Sequence, residues 1–142
     1  MKRVVVDASI AVKWLVPETD TMAAEALLDD ELYAPDLIHA EVANILWKKQ
    51  MRGEVDAEIA AYCAQAWLHL QMVVEPCAAL MSDAVALAAR LGHPAYDCFY
   101  VALARRLGVV LVTADKRLAA RCQQADVPDL AGVVILLAAP GH

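Results

Sequence analysis

The hydrophobic pattern of this chain switches repeatedly between short β-branched runs and longer stretches of helical spacing. Arg3–Val6 is a compact apolar run ended by Asp7, the pattern of a strand buried on both faces. Ala8–Leu15 takes helical spacing and is stopped near Pro17. A second helix is expected from a cap at Thr19 or Thr21 through Leu28, followed by a short strand at Leu32–Ala34 that Pro35 halts. Asp36 is expected to cap a helix reaching about Arg52, with Gly53 just past its end. Asp56 caps another, to about Gln71. Met72–Glu75 reads as a strand, and Ala78–Leu91 as a helix ended by Gly92. Pro94 suits the first turn of the next helix, which runs to Leu107 and stops at Gly108. Val109–Thr113 is the clearest strand; Asp115 then opens a helix to about Gln124, and Val133–Leu136 is a last strand. Strands alternating with helices predict an α/β sandwich around a mainly parallel, roughly five-stranded sheet.

Length and composition narrow this only a little. The 142 residues suit one domain, residues 1–142, and 61% hydrophobic content is enough for a real core. The apolar run after Lys2 and Arg3 is too short for a secretory signal, and no run reaches the length of a membrane span. The expectation is a soluble cytoplasmic protein. Cys63, Cys77, Cys98 and Cys122 form no CxxC pair and match no common zinc spacing, so they read as free thiols in a reducing compartment. A net charge of −6 argues against a large basic footprint on duplex nucleic acid. It does not exclude a nuclease, because carboxylates that await cations themselves supply negative formal charge.

Acidic residues carry the candidate chemistry. Asp7 and Asp115 fall at carboxyl ends of strands, the edge where open α/β sheets bind ligands; each also reads simply as a helix N-cap. Glu41 shares a helix face with Leu37, Ile38, Ile45 and Leu46, where a carboxylate must be paired, protonated or bound to metal. Lys48, two turns on, is the structural alternative as its partner. Asp97 shares a face with Tyr100, Val101 and Ala104, and reads alternatively as a first-turn acid favoured by the helix dipole. Hard divalent cations take oxygen ligands, and carboxylates supply both oxygen and charge.

Other chemistries find less support. His39-Ala-Glu41 matches half of a zinc deaminase signature, but the second half, begun by Pro76-Cys77, lacks its second cysteine because position 80 is Leu. His69, His93 and His142 show no partner at ligand spacing. Trp14, Trp47 and Trp67 lie among apolar neighbours at helical spacing, which favours core or dimer interface over base stacking. A phosphoacceptor α/β domain would also place Asp at strand ends, but leaves Glu41 and Asp97 unexplained. A non-catalytic interaction module is the remaining alternative.

Four segments bear a family resemblance. VVVDASIAVKWL, PDLIHAEVANILWK, YDCFYVALARRLG and LVTADKRLA follow in order across most of the chain and resemble the motifs of PIN domains, above all those of the VapC toxins of toxin–antitoxin pairs. The resemblance implies a three-layer α/β/α sandwich. It implies an endoribonuclease that uses Mg2+ or Mn2+ and cleaves RNA phosphodiesters by metal-activated water. The family's acidic quartet falls on Asp7, Glu41, Asp97 and Asp115, with hydroxyls near the metal site at Ser9 and Thr113. Asp7, Asp97 and Asp115 are then expected to hold one ion, with Glu41 contributing directly or through water to this or a second ion. Lys13, Lys48, Arg52, Lys116 and Arg117 are candidates for phosphate contacts, or else solvated helix surface. A homodimer and a cognate VapB-like antitoxin are implied as partners.

Overall fold

In a computed structural model, which describes residues 2–124 and 126–138, five strands form one sheet with helices on both faces. Along the chain these are β1 (Arg3–Val6), α1 (Ala8–Ala11), α2 (Thr21–Ala26), β2 (Glu31–Pro35), α3 (Ile38–Met51), α4 (Ala57–Trp67), β3 (Val73–Glu75), α5 (Met81–Leu91), α6 (Ala95–Leu107), β4 (Leu111–Thr113), α7 (Lys116–Arg121) and β5 (Val134–Leu136). The sheet order is β3-β2-β1-β4-β5, and every pairing is parallel.

The central strand explains its own composition. Val4 and Val6 point to one face, with Ile10, Ala24, Leu32 and Val112. Val5 points to the other, into the larger core with Ala34, Ile38, Tyr100, Val101 and Leu111. A strand covered on both faces has no polar side to show, hence the unbroken valine run. Each fully buried valine stabilises by roughly 1.5–3 kcal/mol relative to exposure. Above Val5 lies α6, which touches β1, β2 and β4 and packs along α5. Cys98 and Tyr100 through Ala104 are all buried, so this helix is covered nearly all round.

Several boundaries differ from the sequence pattern, for local reasons. The Val109 N–H bonds to the Ala104 carbonyl and closes α6 behind Gly108, whose φ is +68°, so β4 starts only at Leu111. The helix expected from Ala8 passes after Ala11 into a 3-10 turn, Val12–Trp14, and α2 ends the same way over Leu27–Asp29. The start expected at Ala78 is a 3-10 turn, Cys77–Leu80, before α5 proper. Asp36 does not cap α3; its carboxylate accepts from the Cys77 backbone N–H at 3.0 Å and ties two connections together. Asp56 does cap α4, accepting from the Ile59 N–H at 2.8 Å. Pro94 precedes α6 in extended conformation rather than entering its first turn.

The order of the strands fixes where a site can form. From β1 the chain works outward through β2 and β3, then crosses back to β4 and β5 on the other side. Connections therefore diverge between β1 and β4, and a crevice opens at their carboxyl ends. Asp7 and Asp115 stand at those two ends.

Candidate active site

Asp7 is the innermost acid, only 6% exposed. Both its oxygens are engaged. Oδ1 accepts from the Ser9 hydroxyl at 2.5 Å and from the Ile10 N–H at 3.3 Å, and Oδ2 accepts from the Thr113 hydroxyl. The two hydroxyls have their protons directed by what stands behind them. Ser9 Oγ accepts the Ala114 N–H and Thr113 Oγ1 accepts the Asp115 N–H, each at 3.0 Å, which leaves each O–H to donate to Asp7. Adjacent strands are thus stitched through one carboxylate. Asp7 also caps α1, so its reading as a cap and its reading as a site acid are compatible.

Burial still wins over these bonds. Desolvation pushes the Asp7 carboxyl up from its ordinary 3.8 to about 6, against the lowering effect of Ser9, Thr113 and Ile10; the nearby charge of Asp97 adds to the rise. Thr113→Val keeps the shape but removes the hydroxyl. It leaves Asp7 short of a donor and the Asp115 N–H without its acceptor, and is expected to destabilise the protein by about 1–3 kcal/mol in urea denaturation.

Glu41 stands in the first turn of α3 above the buried Ile38 and Val42. Its partner is not Lys48, which is exposed, but the Tyr100 hydroxyl, which donates to Oε1 at 2.5 Å. Desolvation raises the Glu41 pKa, the tyrosine bond lowers it, and the charges of Asp97 and Asp7 raise it again. The carboxylate borders a cleft of about 470 Å³ lined also by Leu37, Asn44, Lys48 and Tyr96.

Asp97 lies in the first turn of α6, and its Oδ2 is 2.5 Å from Nε2 of His93. Asp115 caps α7, with Oδ1 accepting from the Arg117 and Leu118 N–H groups at 2.9 and 3.2 Å. His93, Asp97 and Asp115 each offer a ligand atom, all within 4.8 Å of one another. Donors on opposite sides of one small divalent ion stand about 4 Å apart, so this donor set is of the right kind and near the right size. Asp7 and Glu41 feel the charge of Asp97 from either side. Oxygen-rich, negatively charged and half enclosed, the crevice fits a hard divalent cation.

Residues 4–123 match the family model of the PIN domain. The chain belongs to the PIN-domain family. It is 38% identical over 121 residues to Ribonuclease VapC3 of Pyrobaculum aerophilum, covering 82% of this chain and 92% of that protein. To Ribonuclease VapC9 of Mycobacterium tuberculosis it is 35% identical over 115 residues, 81% of this chain and 87% of the other. Among solved structures, PAE2754 from Pyrobaculum aerophilum matches with a TM-score of 0.67 and 26% identity, over 84% of this chain and 79% of that one. The all-parallel five-stranded sheet between helical layers is the PIN-like α/β/α sandwich.

Around the acids of this PIN domain the basic candidates separate. Lys48, Arg52, Lys116 and Arg117 are exposed. Lys13 is only 7% exposed, with Nζ 2.8 Å from Glu18 and 2.9 Å from Asp20. Its charge is committed to the α1–α2 connection, so it is neither free for a phosphate nor solvated helix surface, the two readings its sequence position allows.

Two residues escaped that reading. Tyr100 reads in the sequence only as an apolar neighbour of Asp97, whereas its hydroxyl faces Glu41. His93 does have a partner at short spacing, Asp97 four positions on, and the reading of it as unpartnered is corrected. The intervening Pro94 hid the pair, since two residues across a helix start need not share a face. His69 is exposed, and His142 lies outside the described residues. Trp14 and Trp67 donate inward, to the Ala24 carbonyl and His39 Nδ1, while Trp47 is 56% exposed.

Proposed function

We propose that this chain is a Mg2+- or Mn2+-dependent endoribonuclease, the toxin of a VapBC-type toxin–antitoxin pair, with Asp7, Glu41, Asp97 and Asp115 holding the cation. The proposal is supported by ligand atoms of Asp97 and Asp115 within 4.8 Å of each other beside the β1–β4 crevice, with Asp7 and Glu41 outside that cluster but near enough to feel the Asp97 charge, in a chain 38% identical to a ribonuclease. When bound, a divalent cation lowers the pKa of a water and offsets the negative charge that builds on the phosphodiester.

The chain's own residues do the rest. Ser9 and Thr113 fix the Asp7 oxygens at the end of β1. Tyr100 holds Glu41 at the cleft. Lys48, Arg52, Lys116 and Arg117 offer exposed charge to the RNA backbone on either side. They offset the repulsion between an acidic protein and a polyanion, so binding is expected to weaken steeply with salt.

The partners follow the same proposal. Trp47, Met51, Ile59, Tyr62 and Leu68 on or just past α3 and α4 are 48–74% exposed. A small domain rarely leaves that much apolar surface in water, and a homodimer contact or a VapB-like antitoxin would cover it. Residues 1–142 act in this proposal as one PIN domain in the cytoplasm. No helix among the described residues is long and apolar enough to cross a membrane, and the four cysteines are free thiols. Sequencing of RNA 5′ ends after induced expression tests the activity. A discrete set of new 5′-phosphate ends is expected, whereas an end profile identical to the uninduced culture contradicts it.

A further inference from the structure

We propose that His93 is a nitrogen ligand of the cation held by Asp97 and Asp115, and that it biases the centre toward Mn2+ over Mg2+. This inference rests on the reading of the acids as a cation site and adds a fifth residue to it.

The geometry carries it. His93 Nε2 is 2.5 Å from Asp97 Oδ2, and its donor atom lies with those of Asp97 and Asp115 inside 4.8 Å. The imidazole is 14% exposed, buried enough to be shielded and open enough to meet an ion. Its backbone is held from both sides. Gly92 turns the chain at a φ of +59°, the His93 N–H bonds the Ala88 carbonyl at 3.3 Å, and Pro94 follows with φ fixed at −54°. This junction joins α5 to α6, which pack along each other. A ring on such a hinge needs little ordering when an ion arrives.

The bland alternative is that His93 caps α6 or merely steadies Asp97. No side chain caps the start of α6, so the ring is not used for its free N–H groups. Steadying Asp97 takes one ring nitrogen, and that nitrogen points at the same carboxylate an ion would bind. Without an ion, Nε2–H donates to the Asp97 carboxylate; a cation arriving there would take the Nε2 lone pair, with the ring proton carried on Nδ1 instead. Both ions take oxygen ligands readily, but Mg2+ keeps its waters and accepts a nitrogen more reluctantly than the transition ion Mn2+ does. A centre of carboxylates plus one imidazole should therefore discriminate between two ions that carboxylates alone treat similarly.

The test is pulsed electron paramagnetic resonance of the full chain loaded with Mn2+, with the protein either unlabelled or carrying 15N-histidine. Spin-echo modulation from a coordinated 14N is expected, replaced by the 15N pattern in the labelled protein and lost in His93→Ala. His93→Ala should weaken Mn2+ binding by about tenfold or more and Mg2+ binding far less. The label marks all four histidines, so His93→Gln, which keeps a polar side chain of similar size, assigns the signal if His93→Ala folds poorly. Tight Mn2+ binding without histidine modulation overturns the role of His93 and leaves the acidic site standing. Equal loss of both ions in His93→Ala overturns the selectivity. A parent that binds no Mn2+ overturns the cation site itself.

Discussion

Asp7→Asn is expected to abolish metal-dependent RNA cleavage and, without metal at neutral pH, to make the protein more stable. The two effects come from one cause. Asp7 is buried with its carboxyl raised from 3.8 to about 6, so at pH 7 the folded protein holds a charge that the fold itself disfavours. That rise corresponds to roughly 3 kcal/mol of destabilisation. The sign runs opposite to that of a salt-bridged aspartate. The folded state binds the proton more tightly than the unfolded state, so the penalty is absent below the unfolded value of 3.8, grows as pH rises toward 6, and is complete above it. Asparagine carries no charge, keeps an oxygen for the Ser9 and Ile10 donors, and presents an amide that can donate to Thr113. The variant should therefore gain roughly 1–3 kcal/mol at pH 7, a rise in melting temperature of about 3–9 °C for a chain of this size. The gap should narrow as pH falls from 7 toward 4. Cleavage should fall by at least about a hundredfold, the most that loss of a mere outer partner of a metal site produces. A metal-free variant that melts below the parent at pH 7 would count against the charged, desolvated Asp7.

Millimolar Mn2+ is expected to raise the melting temperature of the parent protein substantially and that of Asp7→Asn little. Among the four acids, Asp7 and Glu41 are raised by desolvation and by the charge of Asp97. A cation removes both penalties at once, because it replaces lost solvation and neutralises the crowding. At a hundredfold excess over Kd, linkage alone stabilises by about 2.7 kcal/mol, near 8 °C here. An unchanged melting temperature in calorimetry would deny the site its ion. Thr113→Val, which keeps the four acids but loosens Asp7, should fall between parent and Asp7→Asn.

Where the four acids fall in the fold is largely legible in the sequence, because the logic of their placement is one-dimensional. Asp7 follows directly on β1 and Asp115 follows β4 after one residue, and a residue just past a buried parallel strand has nowhere to be but the carboxyl edge of the sheet. Glu41 and Asp97 intrude on apolar stripes that helical spacing exposes at once. What the sequence hid is three-dimensional. The Tyr100 hydroxyl meets Glu41 across 59 positions, and the backbone N–H groups of Ala114 and Asp115 aim Ser9 and Thr113. No periodicity encodes either. His93 was hidden differently, since its partner is only four residues away but on the far side of a helix start. Lys13 misled because a lysine on a short amphipathic helix reads as solvent-facing until the following turn folds Glu18 and Asp20 back over it. Asp36 misled as well, since a favoured capping residue found a backbone donor in another connection.

The central claim is that these acids hold the ion with which the chain cleaves RNA. It is tested most directly by incubating purified parent and Asp97→Asn side by side with RNA in Mn2+, with an EDTA control. The parent is expected to cleave, leaving 5′-phosphate ends, with no cleavage in EDTA and none by Asp97→Asn despite an intact fold. Cleavage by Asp97→Asn at the parent's rate would contradict it.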